Sequence, residues 1–146
     1  MAEFIKQSWV FPVIQSVHLI GLTMLVGSIF LVDLRLLGIG RSQTVTALAS
    51  GLAPWTNGGL LTVFVTGPLM FASDLTRYLN NPAFLLKMGL LAVALAGHFI
   101  LRRRIVRDGS TSSGSRQKLA AVLSLILWIS IVLAGRAIAD FDIRVV

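Results

Sequence analysis

Residues 11–37 read FPVIQSVHLIGLTMLVGSIFLVDLRLL, with no charged side chain before Asp33. A bilayer core of about 30 Å needs about 20 consecutive apolar helical residues, so a stretch of this length and character is predicted to cross a membrane. Pro12 suits a first helical turn and Trp9 suits an interface, while Asp33 and Arg35 mark the far end.

The rest of the chain has the same character. Of its 146 residues 55% are hydrophobic and only 13% charged, with a mean hydropathy of +0.85. A soluble domain carries roughly 25% charged residues. The length allows one domain, residues 1–146, with no room for a separate soluble module. The first apolar stretch follows Glu3 and Lys6 and lacks a small-residue cleavage site, so it is expected to remain as the first helix.

Between residues 44 and 72 the apolar character runs on too long for one simple span, and Pro54, Gly58 and Gly59 interrupt it. These breaks predict a short amphipathic helix at the interface, about 44–53, and a span of about 56–73 anchored by Trp55. Pro68 deprives the Phe64 carbonyl of its helical donor and should bend that span. Residues 74–81 read as a tight polar connection, and Pro82 opens a third span of about 82–101. Residues 107–115 are Gly/Ser-rich and charged, a flexible loop. The fourth span runs over about 119–139. The fold class expected is all-α: a polytopic membrane protein, an up-and-down bundle of four transmembrane helices with a short interfacial helix.

The formal net charge of +7 is concentrated in Arg102, Arg103, Arg104, Arg107, Arg116 and Lys118, between two apolar stretches. That is the positive-inside pattern of a membrane protein and not a nucleic-acid surface, so the bilayer and no nucleic acid is the expected partner. It places the 102–118 loop, with Arg35 and Arg41, in the cytoplasm and both termini outside, in a bacterial inner membrane. The absence of cysteine excludes disulfides, thiolate metal sites and thiol catalysis. No Gly-rich phosphate loop, nucleophile–base pair or paired carboxylates within a span are visible, so hydrolytic enzyme classes lack support.

Both histidines lie inside predicted spans, where ionisable groups are costly and face a bundle interior or cavity. His18 is about two turns into the first helix, with Gln15 three residues before it and Gly21 three after. Gln15 or Ser16 would orient the ring of a ligating histidine, and Gly21 would leave room for a flat macrocycle. The plainer reading is a histidine hydrogen-bonded to another helix for packing. His98 precedes Arg102 by one turn and reads as an interfacial side chain. The two histidines differ by roughly 20 Å in depth, which argues against both ligating one haem within a subunit.

Met70, Met88, Lys87, Asp74 and Arg136 share the depth of His18. Lys87 and Arg136 either snorkel to headgroups with Asp74 and Asp140 as partners or serve an anionic ligand. A soft site of His18, Met70 and Met88 suits Cu(I). A b-type haem suits His18 as axial ligand, Met70 or Met88 as a second, and Lys87 and Arg136 beside the propionates.

Three stretches, FPVIQSVHLIGLTMLVGSIFLVDLRLLG, TGPLMFASDLTRYLNNPAFLLKM and LWISIVLAGRAIAD, resemble a family of small bacterial four-helix membrane proteins described as a domain of unknown function. The resemblance covers residues 11–140 and points to His18, Asp74, Arg77, Tyr78, Asn81, Pro82, Lys87 and Arg136. It implies the four-span fold and no activity, and His98 matches none of its positions. Asp74, Arg77, Tyr78 and Asp140 are expected to form a polar network at one end. The third span and its basic end also loosely resemble the CopD-type copper-resistance membrane proteins, which would imply copper handling.

Three functions are therefore expected as alternatives: a haem-b electron carrier centred on His18, a copper-handling or transport protein, and a non-catalytic partner subunit or scaffold. Small residues such as Gly21, Thr23, Gly27 and Ser28 allow close packing within the chain or in a homo-oligomer, and an electron carrier would require a membrane redox partner.

Overall fold

The computed structural model describes residues 9–40, 42–108 and 114–144, side chains 108 and 139–144 excepted. Four long helices and one short one make up the described chain: α1 Val10–Leu36, α2 Val45–Ser73, α3 Leu75–Leu79, α4 Pro82–Asp108 and α5 Ser115–Arg144. The protein is an all-helical membrane protein. Three of the helices, α1, α4 and α5, are long and apolar enough to cross a membrane.

These helices are apolar on every side, the pattern of a helix surrounded by lipid or protein rather than one with a wet face. Val13, Leu19, Ile20, Leu61, Phe64, Leu86, Val93, Ile126 and Leu133 are all exposed on the outside of the bundle. In water that surface would aggregate; in a bilayer it is the lipid-facing surface. Hydroxyl side chains within the helices satisfy themselves on the preceding turn, as Ser16 does on the Pro12 carbonyl, Thr23 on Leu19 and Ser130 on Ile126.

The end of α1 is a Schellman motif. The Ile39 amide donates to the Leu34 carbonyl and the Gly38 amide to Arg35, with Gly38 at φ +97°, a conformation only glycine adopts without strain. Thr44 then caps α2, its hydroxyl accepting from the Ala47 amide at 3.2 Å.

The expected break inside residues 44–73 does not occur. The stretch is one helix, α2, which runs through Pro54 and Pro68 without interruption, so no separate helix exists over 44–53. A proline within a helix removes one hydrogen bond and leaves the rest of the ladder intact. Gly58 and Gly59 are helical too, and Gly59 serves close packing instead of a turn. The polar connection is itself one short helix, α3. Pro82 begins α4 as expected, but α4 continues two turns past Leu101 through the arginines, because long basic side chains reach out of the apolar layer while the backbone stays helical. Much of the expected 107–115 loop lies outside the described residues, and α5 begins at Ser115 rather than near 119.

Antiparallel α1 and α2 form the most extensive pairing, α4 and α5 the second, and α1 joins the two hairpins by packing on α5. One core cluster joins Leu25 and Ile29 of α1, Ala94 of α4, and Trp128 and Ile131 of α5. A second, nearer the arginines, joins Leu36, Val45, Ile105 and Ala121.

Candidate functional site

His18, Gly21, Leu25 and Ser28 recur at helical spacing on α1 and turn toward α2. Thr66, Thr62, Gly59 and Thr56 meet them in antiparallel order. At one end Ser28 Oγ and Thr56 Oγ1 are 2.8 Å apart. In the middle the backbones nearly touch: a Cβ on Gly59 would stand 2.5 Å from the Leu25 nitrogen and 2.7 Å from the Gly21 oxygen. At the other end His18 Nδ1 is 2.7 Å from Thr66 Oγ1.

The last contact defines the histidine. The Thr66 hydroxyl donates its only hydrogen to the Thr62 carbonyl at 2.6 Å. It can therefore only accept from His18, which makes Nδ1 the protonated nitrogen. Nε2 has no hydrogen-bond partner among the described residues, and in the neutral ring it carries the free lone pair. Gly67 lies beneath the ring, where a Cβ would be 3.7 Å from His18 Cε1.

The structure departs from the sequence expectation at Gly21, Gln15 and Ser16. Gly21 leaves no slot for a macrocycle: a Cβ there would meet Thr62 Cγ2 at 2.7 Å, so α2 fills the space. Gln15 is exposed and Ser16 is bonded to Pro12, so Thr66 and neither of them orients His18. Threonines are frequent in this chain and nothing in the sequence distinguishes Thr66 from the others.

Lys87 lies within electrostatic range of His18. Its side chain is half-buried and crosses Gly135 of α5, with Nζ 3.6 Å from where a Cβ would stand. Met70 is half-buried one turn beyond Thr66, whereas Met88 is 46% exposed and Arg136 is exposed. Asp74, Arg77 and Tyr78 gather at α3. Asp74 caps that helix through the Arg77 amide, the Arg77 guanidinium carbon lies 6.0 Å from the centre of the Tyr78 ring, and Tyr78 packs on Phe71 and Phe84. The side chain of Asp140 lies outside the described residues.

Asn81 holds this end together. Its Oδ1 accepts from the Ala83 amide at 3.0 Å, capping α4, and its Nδ2 donates to the Ile138 carbonyl of α5 at 3.1 Å.

His98 is at the opposite end, beside Asp33, and the 15-residue step from His18 to Asp33 spans about 22 Å along α1. Asp33 does not merely mark the end of a span. It is 1% exposed, it lies close to the Ser124 side chain of α5, and its Oδ2 is buried without a hydrogen-bond partner among the described residues. Its short distance from Arg35 in sequence conceals that burial.

No curated protein and no solved structure matches the chain. A family model matches residues 8–141, nearly the whole length, and the chain belongs to that family, the family of unknown function DUF6644.

Proposed function

We propose that this chain is a membrane-embedded haem-b protein that carries electrons, with His18 as an axial ligand. The observation in its favour is the tautomer of His18: Thr66 holds Nδ1–H and leaves Nε2 as the donor atom. Ligating histidines have that arrangement, a partner on one nitrogen and the metal on the other. Lys87 supplies positive charge beside the ring, which suits a propionate, and Arg136 adjoins Gly135, over which Lys87 lies. With the Gly21 side filled by α2, a macrocycle must lie on the Nε2 side of the ring. Of the two methionines, Met70 is the less exposed, and it is the candidate for a second ligand. A bound haem would supply reversible one-electron storage. By the positive-inside rule the arginine-bearing end of α4 faces the cytoplasm of a bacterial cell.

The test is an absorption spectrum of the detergent-purified protein from haem-sufficient cells, before and after dithionite. A Soret band that sharpens on reduction is expected in the parent protein and in His98→Ala, and its loss is expected in His18→Ala. Thr66→Val should retain the band at roughly 10- to 100-fold weaker haem affinity. A flat spectrum of the parent protein removes this reading.

The continuous seam from Ser28–Thr56 through Gly21–Gly59 to His18–Thr66 favours a second reading, a non-catalytic partner subunit in which His18 only packs helices. That reading expects a colourless protein and a mild loss of stability in His18→Ala.

A further inference from the structure

We propose that Asp33 is a proton-exchange site, reached from the arginine-bearing end through a water-sized cavity that His98 and Arg102 line. This inference does not rest on the haem reading and holds equally for a partner subunit.

The cavity lies between α1, α2 and α4. Asp33, Ala49, Ala53, Thr56, His98 and Arg102 are among its walls, and its volume is about 30 Å³. One water needs roughly 10–15 Å³ by that measure, so one or two fit. Asp33 lines this space, 99% buried, with Oδ2 unpartnered among the described residues.

The neighbours leave that oxygen one way to be satisfied. From α5, the Ser124 side chain lies close to Asp33, yet Oδ2 remains without a partner among the described residues. From α2, the Thr56 hydroxyl is engaged with the Leu52 carbonyl and Ser28. On α1, Arg35 is held by the Gln43 carbonyl. From α4, Arg102 donates Nη1 to Asn57 Oδ1 at 3.2 Å, and no ion pair with Asp33 is found among the described residues. Arg116 and Lys118, at the start of α5, are exposed. A carboxylate with a bare oxygen in apolar surroundings is costly, whereas a carboxylic acid can donate its O–H to a cavity water, which in turn donates to His98. The positive charge of Arg102 disfavours a metal cation in the same space. In the exchange step an O–H bond forms at Oδ2 while one breaks on the cavity water. That water regains its proton from His98 or from solvent. The net change is one proton taken up and one negative charge removed, with no oxidant or reductant.

The experiment is pH-difference infrared spectroscopy of the full chain in liposomes. The expected result is a carbonyl band of a protonated, poorly hydrated acid that titrates reversibly, shifts in D₂O and is lost in Asp33→Asn. Ala49→Leu, which fills the cavity, and His98→Leu should each slow the D₂O shift. Should Asp33→Asn fail to accumulate, Asp33→Glu must move the band. The proposal is overturned by the absence of a titrating acid band, by a band that the Asp33 variant leaves unchanged, by exchange indifferent to cavity filling, or by a band that sodium ions abolish.

Discussion

The two ends of this bundle place polar side chains among apolar ones in opposite ways. At the His18 end the groups that meet between helices are paired: Nδ1 has Thr66, the Thr66 hydroxyl has Thr62, and Asn81 binds Ala83 and Ile138. Within that set Nε2 of His18 is the exception. At the Asp33 end a carboxylate oxygen and, one turn from Ser124 toward the middle of the bundle, the indole nitrogen of Trp128 are both buried without partners among the described residues. Paired groups fix helices in register, and a single atom spared from the pairing is available to a ligand. Buried unpaired groups hold no register and mark the place where a proton or a water is needed.

The contrast depends on how closely α1 and α2 approach, and the largest effect should come from forcing them apart. Gly59→Ala sets a methyl group against the Leu25 and Gly21 backbones, which cannot rotate away. Overpacking of this kind costs about 1–3 kcal/mol and can exceed that, more than the roughly 1 kcal/mol that alanine gains over glycine in a helix. Gly58→Ala is the control. Its Cβ would be 3.5 Å from the end of the Met24 side chain, an ordinary contact, so it should be neutral or slightly stabilising. Thermal midpoints in detergent separate the two, and equal midpoints would mean that the approach at Gly59 is not what pairs His18 with Thr66.

Next in size is Asn81→Ala, which strips the cap from α4 and its tie to Ile138 together. Loss of a cap costs about 0.5–2 kcal/mol, and here the upper half of that range is expected from denaturant titration. Asn81→Asp separates the two roles, because it keeps the accepting Oδ1 and removes the donor to Ile138. Recovery of most of the stability in Asn81→Asp would assign the effect to the cap alone.

The register of the helices was more legible in the sequence than their function. Long uncharged runs are a one-dimensional signal, and Pro82 announces a helix start because its missing amide costs nothing there. The false break at Pro54–Gly59 has a physical origin. Proline and glycine weaken a helix, but in lipid the alternative is an unpaired backbone, so the helix persists. Site residues depend on which side chains meet across helices. Asp33 read as the end of a span and His98 as interfacial, since sequence gives position along an axis and not burial about it. Lys87 was readable because a cation in an apolar run is rare, whereas Thr66 is one threonine among many.

A smaller effect measures the paired end directly. Thr66→Val keeps the shape of the side chain and removes the acceptor for His18 Nδ1–H. Hydrogen bonds between membrane helices average about 0.6 kcal/mol, since the unfolded chain in the bilayer also finds partners. A double-mutant cycle with His18→Ala should return a coupling near that value. A coupling indistinguishable from zero would leave the His18 tautomer unfixed and remove the support it lends to ligation.

The smallest change is expected at the unpaired end, in Trp128→Phe. Trp128 is 2% exposed in the cluster that joins the two hairpins, so shrinking its ring loses contacts and should destabilise. Its buried N–H, however, has no acceptor among the described residues, and an unsatisfied donor itself costs about 1–3 kcal/mol, which phenylalanine relieves. The two effects oppose each other at similar size, so the net change should stay within about 1 kcal/mol, unlike the 3–5 kcal/mol expected where a large core side chain is simply truncated to alanine. If Trp128→Phe instead destabilises as much as a truncation does, the indole nitrogen is bonded in the folded protein, through a water at the Asp33 end, and the contrast between the two ends narrows to the single oxygen of Asp33.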